Sequence, residues 1–226
     1  MFKIFAGVVP AVALLGLAAC STPLLLEPQA ITLPGATPAA VAPAAAEPLS
    51  LAGVLPTPTP DAASGDSPTA AQQAILAQLP ARGPAPELAN DTWFNSAPLR
   101  LADLRGKVVM VEFWTYGCIN CQHVIPALQD WHAAYADDGL VIIGVHTPEF
   151  RYEADPANVE AALAQYGVTW PVALDNDKTT WRAYANRYWP AMYLIDKAGN
   201  LRYLKIGEGQ YEQTEAVIQA LLAEGL

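Results

Sequence analysis

VVMVEFWTYGCINCQHVIPALQDW, residues 108–131, is the stretch in which the fold of this 226-residue chain is decided. Val108–Trp114 is almost continuously apolar, as expected of a strand buried on both faces. From Ile119 to about Ala136, the residues Val124, Leu128, Trp131 and Tyr135 recur at three- and four-residue spacing, which predicts an amphipathic helix. A second buried strand follows at Leu140–Val145 (LVIIGV). Strand, helix and strand at this spacing imply a right-handed parallel crossover. Cys118 and Cys121 stand at the corner where the first strand gives way to the helix.

The rest of the C-terminal part extends the same architecture. Asn158–Tyr166 reads as a helix, Val172–Leu174 as a short strand and Thr179–Tyr188 as another helix. Met192–Ile195 and Leu201–Ile206 flank the turn-rich Asp196-Lys197-Ala198-Gly199-Asn200 and predict a hairpin. Val217, Ile218, Leu221 and Leu222 supply the apolar face of a closing helix. Thr92–Leu101 is expected to add a small N-terminal hairpin. The fold class is therefore α/β, with a mixed central sheet flanked by helices.

A C-x-x-C pair at a helix start places two sulfurs within bridging distance. It also aims the first thiol at unpaired backbone N–H groups and the positive end of the helix dipole, which favours the thiolate that performs disulfide exchange. Half of a zinc site is a competing reading, but a structural zinc needs four ligands, and neither a second C-x-x-C nor an H-x₃₋₅-H pair is present. A purely structural disulfide is the other alternative, and a bridge over so short a loop adds little stability. No metal site is expected. The chemistry would need no cofactor beyond a redox-active Cys118–Cys121 disulfide.

Composition divides the chain into three parts: 1–19, 20–80 and 81–226. Residues 21–80 hold 11 prolines, four acids, no Lys or Arg and no aromatic residue. Such a segment cannot bury enough apolar surface to offset its ordering entropy, so a disordered, partly polyproline II spacer is expected. One short helix near Pro68–Leu79, with Ser67 as N-cap, is compatible with the pattern. All six tryptophans lie in residues 81–226, where 18 acids against 11 bases give a net charge of −7. An acidic chain, −10 overall, lacks the cations that nucleic-acid phosphates require.

The N-terminus, MFKIFAGVVPAVALLGLAAC, joins Lys3 to an apolar run and small residues, the pattern of an export signal. The run from Ile4 to Ala19 contains Pro10 and is short for a bilayer-spanning helix, which needs roughly 20 residues. Leu17-Ala18-Ala19-Cys20 resembles the lipobox of bacterial lipoproteins. That resemblance implies cleavage after Ala19 and a lipidated Cys20, anchoring an extracytoplasmic domain to a bacterial membrane. An uncleaved N-terminal anchor is the alternative.

Trp114-Thr115-Tyr116-Gly117-Cys118-Ile119-Asn120-Cys121 resembles the active-site stretch of the thioredoxin superfamily, in its TlpA/ResA-like group. WTYGCINCQHVIPALQDW, GVHTPEF, WPVALDND and NRYWPAMYLID are together similar to the thioredoxin-like module of DipZ-type proteins. The resemblance spans about residues 85–226 and implies a thioredoxin-like fold, with Phe150 to Asp177 as the TlpA-type insertion.

Site residues carry over one at a time. Glu112, six residues before Cys118, matches the buried acid that lies beneath the second cysteine. Strand alternation independently puts it on the face opposite Val109, Val111 and Phe113, where burial raises a carboxyl pKa and suits a proton acceptor for Cys121. A carboxylate at the sheet end, satisfied by a hydroxyl or water, is the alternative. Pro126 matches the proline inside the active-site helix. Trp189-Pro190 matches the cis-proline corner that faces the cysteines, against a trans proline opening an edge strand. Trp114 and Tyr116 join Trp189 and Pro190 as expected substrate contacts. Val124 stands where ResA-like reductases often carry a glutamate. His123 could tune the thiols or simply lie at the surface, whereas His132 and His146 read as structural.

The expected function is a tethered extracytoplasmic thiol–disulfide oxidoreductase that reduces disulfides of cell-envelope proteins, as in cytochrome c maturation. By the resemblance, a membrane thiol transporter of the CcdA type would supply electrons. Two alternatives differ in specific positions. A peroxiredoxin-like peroxidase would explain Thr115 three residues before Cys118, but Val111 stands where that family has proline. A Sco-like copper metallochaperone would require one more residue between the cysteines.

Overall fold

The computed structural model describes residues 67–225. The expected signal at 1–19, the lipidated Cys20 and most of the spacer lie outside them. Among the described residues, no helix is long and apolar enough to cross a membrane.

Seven consecutive buried residues, Val108–Trp114, form β2. It is paired on both sides, in parallel with β3 (Leu140–His146) and antiparallel with β5 (Ala191–Ile195). The antiparallel β6 (Leu201–Ile206) extends the sheet beyond β5. On the other side, β4 (Val172–Leu174) runs parallel to β3, and β1 (Trp93–Phe94) closes the edge antiparallel to β4. The order is β1-β4-β3-β2-β5-β6. The mixed α/β sheet predicted above is thus present.

Alternation along β2 sorts its side chains into two cores. Met110 and Trp114 join the layer formed by α2 (Ile119–Tyr135), α3 (Pro156–Tyr166) and α5 (Tyr211–Ala223). Val109, Val111 and Phe113 face Leu101, Tyr184, Ala191 and Tyr193 on the other side. Phe113 meets the Trp181, Tyr184 and Tyr193 rings edge-on, at 5.3 to 5.7 Å between centroids.

Three local expectations are corrected. Thr92–Leu101 forms no hairpin: Trp93 and Phe94 pair with Ala173 and Val172 instead. Asn95 then turns the chain with a φ of 62°, its amide donating to the carbonyls of Val168 and Trp170 at 2.9 and 3.0 Å. Those bonds take the place of a returning strand, and Pro98 has no N–H to give one. The helix expected over Thr179–Tyr188 is only α4, Thr179–Ala183. Ala185, at φ 49°, takes the left-handed conformation that ends it.

The short helix near residue 70 is α1, Ala70–Gln78. Its cap is Thr69 rather than Ser67: Thr69 Oγ1 accepts the Gln72 N–H at 3.3 Å, and Gln72 Oε1 accepts the Thr69 N–H at 2.9 Å. α1 lies against α5, with Ile75, Leu76 and Leu79 packed on the first core. The Arg202 guanidinium donates to the Leu76 carbonyl at 3.4 Å. Packed structure therefore begins before Ala81.

Candidate active site

β2 delivers the chain to a tight turn, Thr115–Gly117, from which α2 departs. Cys118 is the N-cap of α2, and its Sγ accepts the Cys121 N–H at 3.3 Å. Both cysteines are free thiols; Cys118 is partly exposed and Cys121 fully buried. The hydrogen bond from the Cys121 thiol does most to lower Cys118, with the backbone N–H groups of Cys121 and Asn120 adding to it against an opposing burial effect. The result is about 7, so a large fraction is thiolate at neutral pH. Burial pushes the Cys121 thiol far up, helped by its bond to Cys118 and by the charge of Glu112.

Glu112 is buried at 1% exposure, and its Oε1 has no hydrogen-bond partner. Burial first, and the Cys118 charge second, raise it to about 8. The predicted acid is thus buried within electrostatic reach of both thiols. A partly exposed, readily ionised nucleophile, a buried partner held neutral and a carboxyl poised between its two states form a system able to exchange disulfides.

The Trp189–Pro190 peptide bond is cis. Trp189 Nε1 donates to the Thr147 carbonyl at 3.0 Å, its ring lies 4.3 Å from that of Trp181 at a tilt of 37°, and Lys178 Nζ lies 5.2 Å from its centroid. The Gly207 N–H donates to the Pro190 carbonyl at 2.8 Å. Tyr116 is partly exposed, stacked on His146 at 5.5 Å, with its hydroxyl donating to the Tyr152 carbonyl at 3.0 Å. Trp114 is not a surface contact. It is 2% exposed, because strand alternation turns it under α2, edge-on to His146 at 5.3 Å.

Val124 is fully buried among the apolar residues of α2, so no acid could replace it without desolvation. Pro126 lies inside α2 as expected. His123 is exposed, and its Nδ1 lies 2.8 Å from Glu208 Oε2.

Two residues here were not read as part of the site. His146 is fully buried beneath the turn, with Nε2 3.2 Å from Thr115 Oγ1. Burial pushes it down to about 4, which keeps it neutral at pH 7. Glu153, from the insertion, is also fully buried, and its Oε1 accepts the Gly117 N–H at 3.1 Å. Its signal in the sequence is slight: an acid among Glu149 and Asp155 in a polar loop.

This combination of sheet order, cis-proline corner and helix-capping cysteine defines a thioredoxin-like fold. Residues 82–204 match the AhpC/TSA family. The chain belongs to that family, and its relatives place it in the TlpA/ResA-like group of thioredoxin-like proteins. It is 51% identical over 150 residues to protein DipZ of Mycobacterium tuberculosis, covering 65% of this chain and 22% of that protein. It is 30% identical over 144 residues to the thiol-disulfide oxidoreductase YkuV of Bacillus subtilis, covering 63% of this chain and 97% of that one. The crystal structure of a thioredoxin-like superfamily protein superposes with a TM-score of 0.59 at 39% identity, covering 63% of this chain and 97% of the other. The chain thus spans about a fifth of the length of the DipZ proteins it matches.

Proposed function

We propose that this chain is a thiol–disulfide oxidoreductase, tethered outside the cytoplasm through Cys20, that reduces disulfides of cell-envelope proteins. The observation that carries the reading is the separation of the two thiols: Cys118 lowered to about 7 and reachable, Cys121 buried and pushed far up.

The Cys118 thiolate attacks one sulfur of a substrate disulfide; the substrate S–S bond breaks and its other sulfur leaves as a thiolate. The resulting mixed disulfide removes the charge from Cys118. That charge had been helping to raise Glu112, and the thiol–thiol bond had been helping to raise Cys121. Both effects end together, so Glu112 sheds its proton more easily and Cys121 loses part of its barrier to ionisation. Glu112 as carboxylate then takes the Cys121 proton, and Cys121 attacks Cys118 Sγ. The second substrate thiolate leaves, and the protein holds the Cys118–Cys121 disulfide, having given two electrons to the substrate. A dithiol partner must return them; a CcdA-type membrane protein fits that role. Trp189, Pro190 and Tyr116 would hold the substrate chain beside Cys118. Thr115 Oγ1 pairs with His146 Nε2 at 3.2 Å rather than with Cys118 Sγ, which favours this reading over a peroxidatic one.

The test is a glutathione redox titration of the full chain, with alkylation of free thiols counted by mass. A single two-electron transition near the roughly −270 mV of thioredoxin supports a reductase, and one near the roughly −120 mV of DsbA would make it an oxidant. No transition at all overturns the assignment. For the tether, Cys20→Ala should move the protein from the membrane fraction to the soluble one, with loss of acyl mass at the mature N-terminus.

A further inference from the structure

Glu153 is fully buried and pairs with no cation among the described residues, yet both of its carboxylate oxygens accept hydrogen bonds. Oε1 accepts the N–H of Gly117 at 3.1 Å. Oε2 accepts the N–H groups of Glu149 and Phe150 at 2.7 and 2.9 Å. Charge-assisted bonds of this kind are roughly twice as strong as neutral ones. One side chain thus ties the insertion to the turn that immediately precedes Cys118, across 36 residues of sequence.

Further hydrogen bonds brace the turn. The Cys118 N–H donates to the Thr115 carbonyl at 3.2 Å, and Gln122 Nε2 donates to the Tyr116 carbonyl at 2.8 Å. The Tyr116 hydroxyl reaches the Tyr152 carbonyl, which also accepts from Asn158 Nδ2 at 3.0 Å. Gly117 is required by the close approach: a Cβ there would collide with Glu153 Oε1. The Glu153 loop also carries Phe150 and Tyr152, which are half-exposed and stacked at 5.7 Å, with the Tyr152 ring 6.2 Å from that of Tyr116.

We propose that Glu153 is a positioning residue for the thiol chemistry, acting through Gly117 to hold Cys118 Sγ where the Cys121 N–H and thiol reach it. The proposal rests on Cys118 being the nucleophile. It assigns to the insertion a direct part in nucleophile geometry: the exposed aromatic pair and the Cys118 turn move as one body.

The experiment compares the reduced full chain with Glu153→Gln. Glutamine keeps the shape, but its amide nitrogen faces a donor in either orientation. Alkylation of Cys118 by iodoacetamide, located by mass spectrometry across pH 5–9, should be about tenfold slower at pH 7, the scale of a small misplacement. Its apparent pKa should rise, and kcat for bis(2-hydroxyethyl) disulfide should fall with KM unchanged. Gly117→Ala should slow alkylation similarly by displacing the same carboxylate. Combined with Glu153→Ala, which removes the collision, Gly117→Ala should add less than threefold. A folded Glu153→Gln with the wild-type rate and pH profile overturns the proposal. If that variant does not fold, a folded Gly117→Ala with the wild-type rate overturns it equally. Alkylation needs no disulfide substrate, so a clear Glu153 effect in a protein without a redox transition would sink the oxidoreductase reading alone.

Discussion

Glu112 and Gly144 are paired across the parallel ladder of β2 and β3, and the glycine lets the Trp114 indole lie over that point of the sheet. A Cβ on Gly144 would stand 2.9 Å from Trp114 Nε1 and 3.2 Å from Val172 Cγ2. Both neighbours are buried, and close-packed interiors absorb such a shift poorly. Gly144→Ala should therefore destabilise the domain by about 1–3 kcal/mol, as overpacking does. The check is a lower urea midpoint at an unchanged slope.

Glu112 gives a pH signature with a definite sign. Its pKa is raised on folding, from 4.5 to about 8, so between those values the folded state holds a proton that the unfolded state has lost. Its contribution to stability is therefore lost progressively as pH rises from about 4.5 to about 8. Glu112→Gln should be more stable than the parent at pH 8 and should flatten this slope, as read by denaturant titration at several pH values. The same variant should resolve mixed disulfides about a hundredfold more slowly, the usual worth of a positioned proton acceptor.

The two thiols should be separable by trapping. Cys121→Ser should accumulate a mixed disulfide between Cys118 and glutathione, visible as added mass, because the resolving sulfur is gone. Cys118→Ser should accumulate none at pH 7, since burial keeps the Cys121 thiol protonated.

Lys205 is a buried lysine at 6% exposure, and its Nζ donates to the carbonyls of Ile206, Gly207 and Glu208 at 2.8, 3.0 and 3.0 Å. Gly207 in turn bonds Pro190, and Glu208 meets His123. Lys205→Met keeps the stem but strands three acceptors. It should cost about 1–3 kcal/mol in urea unfolding, the penalty for unsatisfied polar groups.

Sequence reading reached most of the frame because β2, α2 and β3 carry periodicities that local residues determine. Val108–Trp114 could only be a two-sided strand, and the spacing of Cys118 and Cys121 placed both at its exit. What it missed depends on distant partners. Glu153 looks like one more acid in a solvated loop, and only the fold brings it onto Gly117. Trp114 was misplaced because it neighbours the motif, although the alternation that correctly buried Glu112 also turns Trp114 inward. The expected hairpin failed because Trp93 and Phe94 pair with distant β4, and Asn95 turns the chain there by donating to the Val168 and Trp170 carbonyls.

α1 changes where this protein can sensibly be cut. Its Ile75, Leu76 and Leu79 cover apolar surface beside α5, and Arg202 grips its last turn through Leu76. A recombinant fragment begun at Ala81, where the composition changes, would lay that strip bare and tend to self-associate. Beginning ahead of Thr69 keeps the capping box and the cover together, so crystallisation and binding assays would see the domain's own surface.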